Sequence, residues 1–274
     1  MTSDVPTPGT RLGSYTLTAL LGQGGFAWVF SAARDDGKAF AIKVLKPRYA
    51  SDPAFETRFR DDFTGTALAS RWTTYLGTPS SDPYATWTAA RVRVADGALV
   101  LDAVPIASRP GFWQVGGLAD TGDPQTYGRW TIRFRATPST IASYHLLLWP
   151  QDDSWPPEID IAEGWDADRR QIEGFVHWAD GAGTLHRERV VTAGTFDAWH
   201  TVVLTWTPGL ITWTLDGAGW GRVTGAAVPA EPMRLSMQLE TQACDRSSSA
   251  CTVDARTTVP RLEVDSVLVE RYTA

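Results

Sequence analysis

Lysine is nearly absent from this chain: Lys38, Lys43 and Lys46 are its only three in 274 residues. Cysteine is scarcer, with Cys244 and Cys251 alone, which leaves room for one disulfide at most. No apolar run approaches the about 18 residues of a membrane helix, so no membrane span is expected. The opening stretch MTSDVPTPGTRLGS has neither the basic nor the apolar region of a signal peptide. Positive charge is also lacking: the formal net charge is −6, which argues against a nucleic-acid partner.

What is present divides at a seam. Residues 1–60 carry eight Lys plus Arg against five Asp plus Glu, a net of +3. Residues 61–274 carry 17 against 26, a net of −9, together with 12 of the 13 tryptophans. Two segments of different origin account for this most simply, with a boundary expected at residues 58–64. The cysteines bracket a Ser-rich loop, CDRSSSAC, which suits a disulfide in an oxidising compartment; two free thiols are the alternative.

Before the seam, SYTLTALLGQGGFAWVFSAARDDGKAFAIKVLKP alternates apolar and polar residues in three short runs split by Gly turns and a DDG hairpin signal, which predicts a β-meander. These residues resemble the start of a bacterial Ser/Thr protein kinase. Gly22, Gly24 and Val29 fit its glycine-rich loop, and AIKV puts Lys43 where the family's phosphate-pairing lysine sits. SDPAFETRFR then reads as the first turns of the family's next helix. No H-R-D-x-x-x-x-N, D-F-G or A-P-E run follows, so phosphoryl transfer lacks its working parts and kinase activity is not expected. The resemblance covers a partial N-lobe, 1–60, with a vestigial nucleotide site as its functional reading and a fusion remnant as the plainer one.

After the seam, short runs such as RVRVADGALVLDA, YHLLLW, QIEGFVHW and MRLSMQLE recur at intervals of about ten residues without helical periodicity, which predicts a mainly β, two-sheet sandwich over 61–274. In EIDI, Ile159 and Ile161 take the core side while Glu158 and Asp160 share the opposite face. Like charges on one face repel and lose hydration in a cleft, so a functional site explains them better than folding does.

EIDIAE resembles the signature of glycoside hydrolase family 16, the jelly-roll clan of laminarinases and lichenases. DDFTGTALASRW, YGRWTIRFRA, LLLWP, DAWHTVVLTWTPGLITWTLDG and VDSVLVERY match further stretches of that family in order. The resemblance implies a retaining endo-hydrolase of a β-linked polysaccharide, foremost a β-1,3- or β-1,3-1,4-glucan, with no cofactor or metal required and a monomer expected. It implies Glu158 as nucleophile, Asp160 as assisting carboxylate and Glu163 as acid/base. Strand alternation suggests Trp149, Trp155, His177 and Trp178 as walls of a substrate cleft, and the resemblance adds Arg133 and Gln238. His145 and His200 are read as structural.

One spacing conflicts with a regular strand. A two-residue side-chain period sends Glu163 to the core, opposite Glu158, so a β-bulge is expected between Asp160 and Glu163. Pro157 also stands where relatives carry Gly. Two other readings stay open: a carbohydrate-binding sandwich without turnover, and an ATP-binding kinase-derived module. The compartment is open too, since a polysaccharide hydrolase suits the exterior and a kinase lobe the cytosol.

Overall fold

The computed structural model describes residues 5–23, 27–45, 52, 54–247 and 251–274. The chain forms two compact units, 1–55 with 273–274, and 56–272.

The first unit holds an antiparallel sheet in sequence order, Arg11–Leu12, Tyr15–Gln23, Ala27–Arg34 and Ala39–Leu45. Its DDG signal is a turn, with Gly37 at a φ of 79° that favours glycine. Leu17, Trp28, Phe30 and Ala32 form its small buried cluster. The stretch expected to open a helix does not. Phe55–Asp61 is a strand that pairs with Arg261–Tyr272 of the sandwich, and the second unit accordingly begins at Glu56. Tertiary pairing overrides a helix-compatible composition here. Phe59 meets the Trp72 ring edge-on at 6.0 Å, and the Trp72 indole N–H donates to Asp61 Oδ2 at 2.8 Å.

The second unit is a two-sheet β-sandwich. A ten-stranded sheet runs through Gly128–Ala136, His200–Thr207, Leu210–Leu215 and Arg261–Tyr272. A seven-stranded sheet faces it, ordered Leu185–Ala193, Gln171–Ala179, Glu158–Gly164, Ser143–Pro150, Met233–Glu240, Gly117–Asp120 and Trp72–Thr74. Alternation assigns the faces. Tyr144, Leu146 and Leu148, with Leu235, Met237 and Leu239 on the neighbouring strand, point to a core shared with Trp130, Ile132, Phe134 and Trp206. The residues between them, from His145 to Glu240, form the outer face of the seven-stranded sheet and carry the site.

The disulfide Cys244–Cys251 is formed, with Cα atoms 6.0 Å apart, inside the range such a bond needs.

A chain starting at Glu56 is expected to melt cooperatively within a few degrees of the second unit in the full protein. One starting at Phe63 lacks the added strand and leaves the Trp72 indole without its acceptor, a loss of about 2–3 kcal/mol or more. Circular-dichroism melts of the two truncations check this; equal melting would make Phe55–Asp61 dispensable.

Candidate active site

The signature strand Glu158–Gly164 carries an irregularity at the position that matters. Asp160 pairs with Phe175 and Glu163 with Glu173, so three steps on one strand match two on the other. On the opposite side Leu147 pairs with Asp160 and Leu146 with Ala162, leaving Ile161 as the extra residue. This bulge sends Ile159, Ile161 and Ala162 to the core and returns Glu163 to the face of Glu158 and Asp160. From the opposite sheet the Trp213 indole N–H donates to the Asp160 carbonyl at 3.1 Å. Gly174 makes room for it: a Cβ there would lie 2.8 Å from that indole nitrogen.

Glu158 and Glu163 line a cleft of about 770 Å³ whose walls include Tyr75, Trp87, Trp149, Trp155 and Trp165, and Asp160, between them in the strand, is buried. Trp155 is 45% exposed, and its indole N–H donates to Glu158 Oε2 at 2.8 Å. His177 Nε2 lies 3.3 Å from Asp160 Oδ2. His145 Nδ1 and Glu163 Oε1 share a hydrogen bond of 2.6 Å, and His145 Nε2 bonds the Ser143 hydroxyl at 3.0 Å. Asp160 is buried, and its Oδ1 has no partner among the described residues. A proton shared with Glu158 would satisfy that oxygen.

Burial and mutual repulsion favour protonation throughout the cluster. Burial first, then the charge of Asp160, raises the Glu158 carboxyl to about 8, against the pull of the Trp155 N–H and His177. Burial and Glu163 push Asp160 well above the usual carboxylate range, and burial with Glu158, Glu240 and Glu173 does the same to Glu163. Burial also lowers His177, which favours its neutral form. The Trp155 N–H and His177 are the groups that support a negative charge on Glu158. Among the described residues, Glu158, Asp160 and His177 form the one cluster with ligating atoms all within 4.8 Å. A cation there would take the oxygens that nucleophilic chemistry needs.

These directions fix a stability prediction. The Glu158 carboxyl binds its proton more tightly folded than unfolded, so the favourable contribution is complete below about pH 4.5 and disappears as pH rises toward 8. Glu158→Gln removes that loss. It is expected to melt above the wild type at pH 8, by on the order of 2 kcal/mol or roughly 4–8 °C, with the gap closing near pH 4. A pH-independent gap in calorimetry would contradict the assignment.

The expected substrate contacts separate into two groups. Trp149, Trp155, His177 and Gln238 line the cleft. Trp178 does not: alternation along Gln171–Ala179 turns it from the cleft side toward the core, where it stacks on His186 with ring centres 4.4 Å apart. It borders only a smaller hollow of about 230 Å³ beside Trp155 and His177. Arg133 lies elsewhere. Its strand belongs to the ten-stranded sheet, where Arg129, Arg133 and Arg135 pair with Glu270, Asp265 and Glu263 at 2.6, 3.2 and 2.8 Å. Trp130, Ile132 and Phe134 fill the core from the other face of that strand, so the arginine row points away from the carboxylates.

Two site residues escaped sequence reasoning. His145, read as structural, touches Glu163; its even spacing from Ser143, Leu147 and Trp149 along the strand was the available signal. Glu240 lies buried at the cleft, two residues beyond Gln238 on the same face. His200 bonds Asp216 at 2.6 Å, outside the cleft. In the first unit Val29 pairs across from both Gly22 and Lys43, the Lys43 side chain is exposed, and Gly24 lies outside the described residues.

Residues 80–256 match the family model of glycosyl hydrolases family 16. Endo-1,3-1,4-beta-glycanase ExsH of Rhizobium meliloti is 28% identical over 115 residues, 42% of this chain and 25% of its own. Endo-1,3-1,4-beta-glycanase EglC of the same organism is 25% identical over 173 residues, 61% of this chain and 36% of its own. The chain thus spans well under half the length of these curated relatives. The solved laminarinase of Rhodothermus marinus superposes with a TM-score of 0.65 at 23% identity, covering 80% of this chain and 98% of that one. The catalytic domain of an endo-1,3-beta-glucanase from Thermotoga petrophila gives 0.66 at 15%, covering 80% and 99%. At those identities the likeness is one of fold, and the family match over most of the sandwich supplies the rest: the chain belongs to glycosyl hydrolases family 16.

Proposed function

We propose that the second unit is a retaining endo-hydrolase of a β-linked glucan, with β-1,3 or mixed β-1,3-1,4 linkages. Glu158 is the nucleophile, Glu163 the acid/base and Asp160 the assisting carboxylate. One observation carries the reading: the bulge after Asp160 sets Glu163 on the cleft face beside Glu158, which gives the cleft the pair of carboxylates that glycoside hydrolysis needs. The relatives ExsH and EglC, both endo-1,3-1,4-beta-glycanases, support this linkage class.

The chemistry follows from these roles. A Glu158 oxygen attacks the anomeric carbon while Glu163 passes its proton to the departing glycosidic oxygen. The bond to the leaving sugar breaks and an ester to Glu158 forms. Water then attacks the same carbon, Glu163 takes its proton, and Glu158 leaves as carboxylate. Asp160 exchanges a hydrogen bond with Glu158 as that group loses and regains its charge. Indole faces of Trp149 and Trp155 offer the apolar faces of sugar rings a surface, and Gln238 offers an amide to hydroxyls.

Laminarin, mixed-linkage β-glucan, agar and carrageenan would be incubated with the protein, reading new reducing ends and, by proton NMR, the first anomer released. Reducing ends from a β-glucan with the β anomer formed first are expected. Binding without any release would identify a non-catalytic sandwich, and an initial α anomer would overturn retention. Protein kinase activity is not part of this reading, because the runs that supply the catalytic base and metal-binding Asp of kinases do not occur in the sequence.

A further inference from the structure

Glu240 ends the strand Met233–Glu240 on the cleft face and is 2% exposed. Among the described residues, its hydrogen-bond partners are neutral donors. Ser81 Oγ and Gln238 Nε2 donate to Oε1 at 2.8 and 2.9 Å, and Gln242 Nε2 donates to Oε2 at 2.5 Å. Burial, with Asp82 and Glu158, raises the Glu240 carboxyl, while His145 and the Ser81 hydroxyl act against that rise; donors of this kind favour the ionised carboxylate without cancelling its charge. The Gln242 carbonyl oxygen in turn accepts from the Trp165 indole at 3.2 Å, and Trp165 packs edge-on against His145, the partner of Glu163. In the sheet, Ser143 stands opposite Glu240 and His145 stands between Gln238 and Glu163.

We propose that Glu240 is a positioning residue of the acid/base step, a caged negative charge that keeps the proton on Glu163 until the leaving group takes it. The inference rests on reading Glu163 as the acid/base. Groups facing Glu163 come from every adjoining strand: Glu158 and Asp160 from its own, Glu173, Arg187, His145 and Glu240. Glu173 is held by Arg189 at 2.5 and 2.7 Å, which offsets its charge. Arg187 acts in the opposite direction, favouring ionisation. Glu158 must give up its charge when it bonds to sugar. Glu240 forms no bond to sugar in either step and, among the described residues, has no cation among its hydrogen-bonding partners, so its effect on Glu163 lasts throughout the cycle.

Glu240→Gln keeps the size and removes the charge. The alkaline limb of kcat/KM on β-glucan is expected to move to lower pH by roughly one pH unit. Glu240→Asp, which restores the charge, is expected to bring the limb back. A purely structural role would lower kcat at every pH and leave the limb in place, which would overturn the proposal. The Glu163 carboxyl titration, followed by carbon NMR of labelled protein, gives a readout without turnover; it should fall by a similar amount in Glu240→Gln. If the wild type releases no reducing ends, the hydrolase reading fails while this titration still decides the electrostatic claim. Should Glu240→Gln not fold, Ser81→Ala removes one donor of the cage and is expected to move the same titration part of the way. An unmoved Glu163 titration in the folded variants would refute the role of Glu240.

Discussion

Glu158→Gln is expected to lose at least about 10⁴-fold of turnover on β-glucan while keeping its fold and its affinity for the polysaccharide. The amide has nearly the size of the carboxylate and still accepts from the Trp155 indole, so packing and the cleft wall survive. What disappears is the charged oxygen that attacks carbon, and no neighbour replaces it. Asp160 lies deeper, 1% exposed, and Glu163 is committed to the proton. The measurement is reducing-end release against binding by titration calorimetry. A variant that binds and still turns over at more than a hundredth of the wild-type rate would remove Glu158 from the nucleophile's role.

Glu163→Gln is expected to behave differently, and the difference separates the two roles. Loss of the proton donor should lower turnover on glucan by about 10²–10⁴-fold, the usual worth of a positioned general acid. An aryl β-glucoside with a good leaving group needs little protonation, so its first step should be largely spared and its ester intermediate should accumulate. Rapid-quench kinetics with such a substrate would show a burst followed by slow turnover. Equal loss on both substrates would mean that Glu163 supports the fold of the bulge and moves no proton. The hydrogen bond to His145 at 2.6 Å makes this a real alternative, since the amide changes which partner donates.

The alternating apolar and polar runs determined the strands of the sandwich, because a period of two assigns each side chain to a face whatever packs against it. The same arithmetic located the irregularity: a strand carrying Glu158, Asp160 and Glu163 either buries a charge or inserts a residue, and Ile161 is the inserted one. Local pattern also marked the Gly37 turn and the cysteine pair.

Tertiary structure decided what period alone leaves open, namely which sheet a strand joins and what lies across from it. Arg133 occupies an outward position in a strand of correct pattern, yet that strand joins the ten-stranded sheet, and the arginine pairs with Asp265 on the far side from the cleft. Phe55–Asp61 has a composition open to helix, and pairing with Arg261–Tyr272 made it a strand. His145 and Glu240 bear no motif; strand order sets His145 opposite Glu163 and Glu240 opposite Ser143, from positions 18 and 77 residues away from Glu163 in the chain. A side chain's face is set by its immediate neighbours in sequence, so the sequence alone determined it. The partners of a charge are set by long-range pairing and burial, and these exist only once the two sheets have closed.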